Sequence, residues 1–145
     1  MKLEKSAIRL AATDLSNHLA CRHLTTLDLG LADGRWKAAD WYRPEAEVLK
    51  QRGLDHEHEY LKHLESTGRH PTSVLAEGDE AGSALERTIA AMRDGADVIV
   101  QGTLASGRWF GRADVLLRVD RPSGLGAWSY EALDTKLAGE TKAGA

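Results

Sequence analysis

Asp134-Thr135-Lys136 sets a carboxylate and an ammonium two residues apart, inside a stretch from Trp128 to Leu137 that reads as a β-strand. Strand alternation turns residues i and i+2 to one face, so Asp134 and Lys136 share a side and Thr135 points away. That pairing suits metal-assisted phosphodiester hydrolysis. The carboxylate binds a divalent cation, and the lysine orients a water or steadies charge on the phosphate. An isolated Asp-x-Lys is far more often a surface ion pair. Asp114 alters that balance: it sits mid-strand in Gly111-Arg112-Ala113-Asp114, just ahead of Val115-Leu116-Leu117, and Asp is depleted in strands. A carboxylate beside that much apolar surface needs a partner. Consecutive strands make Asp114 and Asp134 neighbours, and two such acids repel unless a cation lies between them. Arg112 or Arg118 on the same strand would also neutralise Asp114, and the residues alone leave both readings open.

His56 is the third candidate. At 100° per residue Leu49, Gly53, His56, Tyr60 and Leu64 fall within about an 80° sector, so His56 lies in the middle of an apolar helical face. A lone His there is more often a hydrogen-bonded core residue than a ligand. Gly53, one turn earlier, costs the helix about 1 kcal/mol and invites a close approach by backbone or ligand. Zinc of the HExxH kind is set aside, because Tyr60 stands where the second His would be and His58 points away from His56.

The elements that must position these side chains follow from periodicity. Thr13 reads as an N-cap and a first helix is expected from Asp14 to about Cys21. Leu24, Leu27 and Leu31 continue a helical spacing that Asp33-Gly34 ends. Arg35 to Arg43 reads as a loop. Pro44, followed by Glu45 and Glu47, opens a helix expected to reach Ser66. His70 to Gly78 reads as an irregular connection with at most an edge strand, and Glu80 to Arg93 as another helix with Gly95 as its C′ residue. Strands are expected over Asp97–Leu104, Arg108–Val119 and Trp128–Leu137, separated by turns at Ala105–Gly107 and Arg121–Gly126. The expected fold class is α/β, or more narrowly an α+β-like arrangement of N-terminal helices followed by a three-stranded antiparallel meander.

Composition bounds the alternatives. At 145 residues, 42% hydrophobic and 28% charged, the chain is an ordinary globular domain in size and make-up. The opening residues lack the apolar core of a signal peptide, and no window approaches the ~20 apolar residues of a membrane span, so a cytoplasmic location is expected. A net charge of −3 argues mildly against a dedicated nucleic-acid binder. Residues 101–145, however, hold six Lys and Arg against five acids, which permits phosphate binding near the strands. Cys21 is the only cysteine, so an intrachain disulfide is excluded.

Taken in order, Gly53-x-x-His56-Glu57 on a helix, Gly111-Arg112-Ala113-Asp114 on a strand and Asp134-Thr135-Lys136 on a strand resemble the RecB-like branch of the PD-(D/E)XK nucleases. Leu15 to Leu24 resembles the first helix of a bacterial subset often joined to a helicase, and iron–sulfur CRISPR-associated exonucleases are more distant relatives. The resemblance implies a restriction-endonuclease-like core and a Mg²⁺- or Mn²⁺-dependent DNA nuclease. His56, Asp114, Asp134 and the backbone carbonyl of Thr135 are then implied as metal ligands, with Lys136 as the catalytic lysine beside Asp114 and Asp134. Cys21 matches the cysteine that joins three others around an iron–sulfur cluster in cluster-bearing relatives.

Relative to that family the expectation is a partial domain. Residues 1–95 form a helical region with the motif His, residues 96–137 the sheet, and residues 138–145 the start of a missing C-terminal helix and strand. A cluster is then expected only in a completed protein, and the 145-residue chain alone is expected to show little cleavage. The implied partners are DNA, single-stranded or at ends, and a helicase module in cis or trans; an uncovered sheet face would favour self-association. The competing reading is a catalytically silent nucleic-acid-binding or interaction module docked to a helicase.

Overall fold

A computed structural model describes residues 1–4, 7–38, 44–75 and 81–135. Its elements run β1 (Lys2–Glu4), β2 (Ala7–Arg9), α1 (Ala12–Ala20), α2 (Arg22–Ala32), α3 (Pro44–Ser66), β3 (Pro71–Ser73), α4 (Ala81–Arg93), β4 (Val98–Ser106), β5 (Trp109–Val119) and β6 (Ser129–Leu133). The class is mixed α/β. Met1–Tyr42 with Thr103–Arg112 forms one compact unit, and Arg43–Gly102 with Ala113–Ala145 forms a second. Among the described residues no helix is long and apolar enough to cross a membrane.

In the first unit β1 and β2 pair antiparallel, Leu3 opposite Ile8. Periodicity does not reveal strands of three residues. Leu10 then bridges to Trp109, receiving the Phe110 N–H at 2.8 Å and donating to the Arg108 carbonyl at 2.9 Å. Thr13 is not the N-cap expected of it: Ala11 occupies that position, and Asp14 takes over the capping. One Asp14 oxygen accepts the Ala11 N–H at 2.7 Å and the other the Met1 ammonium at 2.5 Å. Cys21, extended at φ −160°, separates α1 from α2 and is exposed. Gly30 is dictated by packing, because a Cβ there would lie 1.5 Å from Trp36 Nε1. Residues 39–43 of the expected connecting loop lie outside the described residues.

The second unit is built on the sheet β3-β4-β5-β6. The expected meander of three becomes four strands because Pro71–Ser73 pairs parallel to β4, Pro71 opposite Val98. A parallel edge strand needs a long crossover, and α4 supplies it. Alternation along the strands divides the core. Val98, Val100, Val115, Leu117 and Leu133 pack with Tyr60, Leu61 and Leu64 of α3. Ile99 and Leu116 pack with Val74, with Ala91 and Met92 of α4, and with Tyr130. Only the C-terminal half of α3 is engaged in this way; Leu49, expected on its apolar face, is 61% exposed.

The helix ends carry their own partners. Gly68 at φ +83° and Gly95 at φ +73° take the left-handed turn that closes α3 and α4. Carbonyls at the end of α4 and in the turn after it are then satisfied by side chains of β5, β6 and their connection. Trp128 Nε1 donates to the Met92 carbonyl at 3.1 Å, Arg118 to Gly95 at 3.0 Å and the Tyr130 hydroxyl to Ala96 at 2.7 Å. Burial raises the Tyr130 phenol above its ordinary value, a shift that Asp97 adds to and Arg118 opposes. Burial pushes Asp97 up, but the Arg69 guanidinium and the His70 N–H more than offset this and hold it below the usual carboxylate range.

Gly102 is the tightest point of the sheet. A Cβ there would sit 2.5 Å from Leu116 Cδ1 and 3.1 Å from its Cγ, and Leu116 is buried. Gly102→Ala is therefore expected to destabilise the second unit by about 1–3 kcal/mol through overpacking. Thermal denaturation followed by circular dichroism measures this; a variant that melts with the parent chain would show that Leu116 has room to move.

Candidate functional site

The β5–β6 ladder runs from Val119↔Ser129 to Val115↔Leu133 and stops there. One more step would set Asp114 opposite Asp134. At that point a side chain replaces the ladder: Asp114 Oδ2 accepts the Thr135 N–H at 2.8 Å and the Thr135 hydroxyl at 3.2 Å. These bonds hold the Asp114 carboxylate against the Asp134–Thr135 peptide. Two of the expected acidic positions are thus brought together at one level of neighbouring strands. β6 is shorter than the expected Trp128–Leu137 strand, so Asp134 and Thr135 follow its end. Asp134 is exposed and has an interaction of its own. Lys136 lies outside the described residues.

His56 is half-buried on α3, one turn before Tyr60. Val115 and Leu133 face α3, but Ala113 packs with Ile99 and Leu116 in the other cluster, so strict alternation does not hold across Asp114, and Asp134 follows the end of β6. No three His, Cys, Asp or Glu side chains form a metal-holding group among the described residues. Gly53, expected to admit a close neighbour, has nothing within 4 Å of a built Cβ. Two carboxylates with a backbone carbonyl nevertheless match a hard cation of the Mg²⁺ type. Such an ion keeps several waters and is commonly held by one or two carboxylates together with substrate phosphates, not by an all-protein cage. On donor chemistry, Asp114, Asp134 and the Thr135 carbonyl fit Mg²⁺ or Mn²⁺.

Sequence reasoning missed the contact between Gln101 and Glu57. Val98 and Val100 face α3 and Ile99 faces α4, so strict alternation would put Gln101 on the α4 side. Gln101 instead adopts φ +57°, a region costly for a residue with a side chain. Gly102 then takes the side of Ile99 and Leu116. A bulge re-aims a strand residue in this way, and the Gln101 amide donates to the Glu57 carboxylate on α3. The available signal was a lone Gln inside the apolar run Val98 to Leu104.

A cleft of about 490 Å³ in the second unit is lined by Arg69, Asp97, Arg118, Val119 and Asp120. Its arginines are already engaged, Arg69 with Asp97 at 2.5 Å and Arg118 with the Trp128 ring and the Gly95 carbonyl. It is a structural junction between the end of α3 and the sheet. Compared with family models, with curated proteins and with solved structures, the chain matches none.

Proposed function

We propose that this chain carries the carboxylate centre of a Mg²⁺- or Mn²⁺-dependent nuclease of the RecB-like kind, acting on the phosphodiester bonds of DNA. The observation that carries the reading is the pinning of Asp114 by Thr135 beside Asp134. A carboxylate tethered by two donors at a strand end is pre-oriented, and pre-orientation is what a site for a divalent ion and a phosphate requires. Asp114, Asp134 and the Thr135 carbonyl would hold the ion, which supplies Lewis-acid activation of the phosphate. Lys136, two residues beyond Asp134, would place an ammonium for the attacking water or the phosphate charge. His56 is the implied ligand that the described residues do not gather with the carboxylates, and that observation favours the second reading, a catalytically silent nucleic-acid-binding module beside a helicase. Cys21, the only cysteine of the 145 residues, offers one thiolate where an iron–sulfur cluster takes about four.

Calorimetric titration of Mn²⁺ into the 145-residue chain decides between the two readings. The nuclease reading expects saturable heat that Asp134→Asn removes. A titration without heat, or one that Asp134→Asn leaves unchanged, supports the silent module.

A further inference from the structure

The two compact units differ sharply in charge. The first, Met1–Tyr42 with Thr103–Arg112, carries eight Lys and Arg against five Asp and Glu; the second carries eleven against seventeen. The weakly acidic whole conceals a basic unit. Its acids are also largely spent. Asp14 is paired with the Met1 ammonium, Glu4 with Arg9 and Asp33 with Arg35. Arg108 and Arg112 are exposed and form no ion pair among the described residues.

The same unit presents an aromatic surface. Trp109 is 44% exposed and lines two recesses of about 330 Å³ and about 280 Å³. The first is walled by Leu15, Leu104, Trp109 and Phe110. The second adds Leu10 and Leu29, with His18 and Arg108 among its polar groups. The Arg9 guanidinium lies 5.3 Å from the Phe110 ring centroid. Exposed indole, apolar walls and an uncommitted arginine recur where unpaired bases stack while the backbone is held by cations.

The geometry points to a binding site for single-stranded nucleic acid on the first unit, with a base stacked on Trp109 and a phosphate on Arg108. Charge complementarity selects this occupant over an apolar protein segment, since such a segment has no use for the exposed Arg108 beside Trp109 or for the excess of Lys and Arg in this unit. Duplex is disfavoured because its bases are already stacked and paired. The inference rests on the nucleic-acid reading above but not on the metal centre, since a strand can bind without an ion.

The test uses the full chain in EDTA, with fluorescein-labelled oligo(dT) followed by anisotropy and tryptophan quenching at several salt concentrations. Oligo(dT) is expected to bind more tightly than a duplex of equal length and to quench indole emission. Trp109→Ala should weaken binding roughly tenfold or more, and Trp109→Phe should keep most of it. Arg108→Gln should reduce the salt slope by about one phosphate contact. Equal affinity of Trp109→Ala and the parent chain, a duplex preference, or no binding by a parent chain of intact circular dichroism would overturn the site. With EDTA present, loss of the metal centre through Asp134→Asn should leave this binding intact. The metal reading and this one therefore fail separately.

Discussion

Asp114→Asn is expected to lower Mn²⁺ affinity by roughly 10- to 100-fold or more while barely changing thermal stability, whereas Asp114→Ala loses both. The two substitutions separate charge from tether. An Asn oxygen still accepts the Thr135 N–H and hydroxyl, which reach Asp114 Oδ2 at 2.8 and 3.2 Å, but it brings no negative charge to a cation. Losing an outer partner of a metal ligand already costs about 10–100-fold in affinity, and losing a ligand's charge costs at least as much. Ala removes the acceptor too, leaving the Thr135 N–H without its bond past the end of β6. Hydrogen bonds to a charged group contribute about 1.5–3 kcal/mol each. Partial exposure reduces that, and about 2 kcal/mol is expected for Asp114→Ala. Calorimetric titration and thermal melts on the two variants read the two quantities separately. Full Mn²⁺ affinity in Asp114→Asn would remove this residue from the metal centre.

The second large effect concerns stability in the first unit. Asp14 is 6% exposed, with the Met1 ammonium on one oxygen and the Ala11 N–H on the other. Burial alone would push its carboxyl up. The ammonium and the backbone donor outweigh that and hold it below the ordinary 3.8. A carboxyl depressed by folding contributes stability that is fully present above the unfolded value. That contribution is lost as pH falls from about 3.8 through the lower folded value. Asp14→Ala leaves a part-buried ammonium without its partner and should cost about 1–3 kcal/mol at neutral pH. It should also flatten the acid end of the stability profile. Urea denaturation followed by tryptophan emission between pH 3 and 7 measures both, in roughly half-unit steps around the carboxylate range. A variant with the parent's midpoint at neutral pH, or the parent's acid slope, would show that the ion pair contributes nothing.

Much of the architecture was legible in the residues. Pro44 with two following glutamates announced α3, and its Pro44–Ser66 span is as expected. Gly95 does close α4, because a left-handed C′ residue is a local requirement that glycine meets at little cost. The strand region was legible too, since alternation between Val98 and Val119 is a property of neighbours in sequence. What local periodicity leaves out are elements too short to show a period and contacts made at a distance. β1, β2 and β3 have three residues each. Pro71–Ser73 is a strand only because β4 lies beside it, and Asp14, not Thr13, caps α1 because Met1 returns to meet it.

The candidate site divides the same way. Asp114 could be named from its placement beside an apolar run and Asp134 from its spacing to Lys136, and the sequence order of β5 and β6 was enough to make them neighbours. The register, and the substitution of the Asp114 carboxylate for a ladder acceptor at Thr135, are tertiary facts. His56 shows the limit most clearly. Its helix, its face and its neighbour Tyr60 were all readable, but which side of the sheet that face covers was not. Val115 and Leu133 pack toward α3, while Ala113 joins Ile99 and Leu116 on the other side, so alternation is broken around Asp114. A sequence fixes which residues share a face of one element, whereas only packing decides which faces meet.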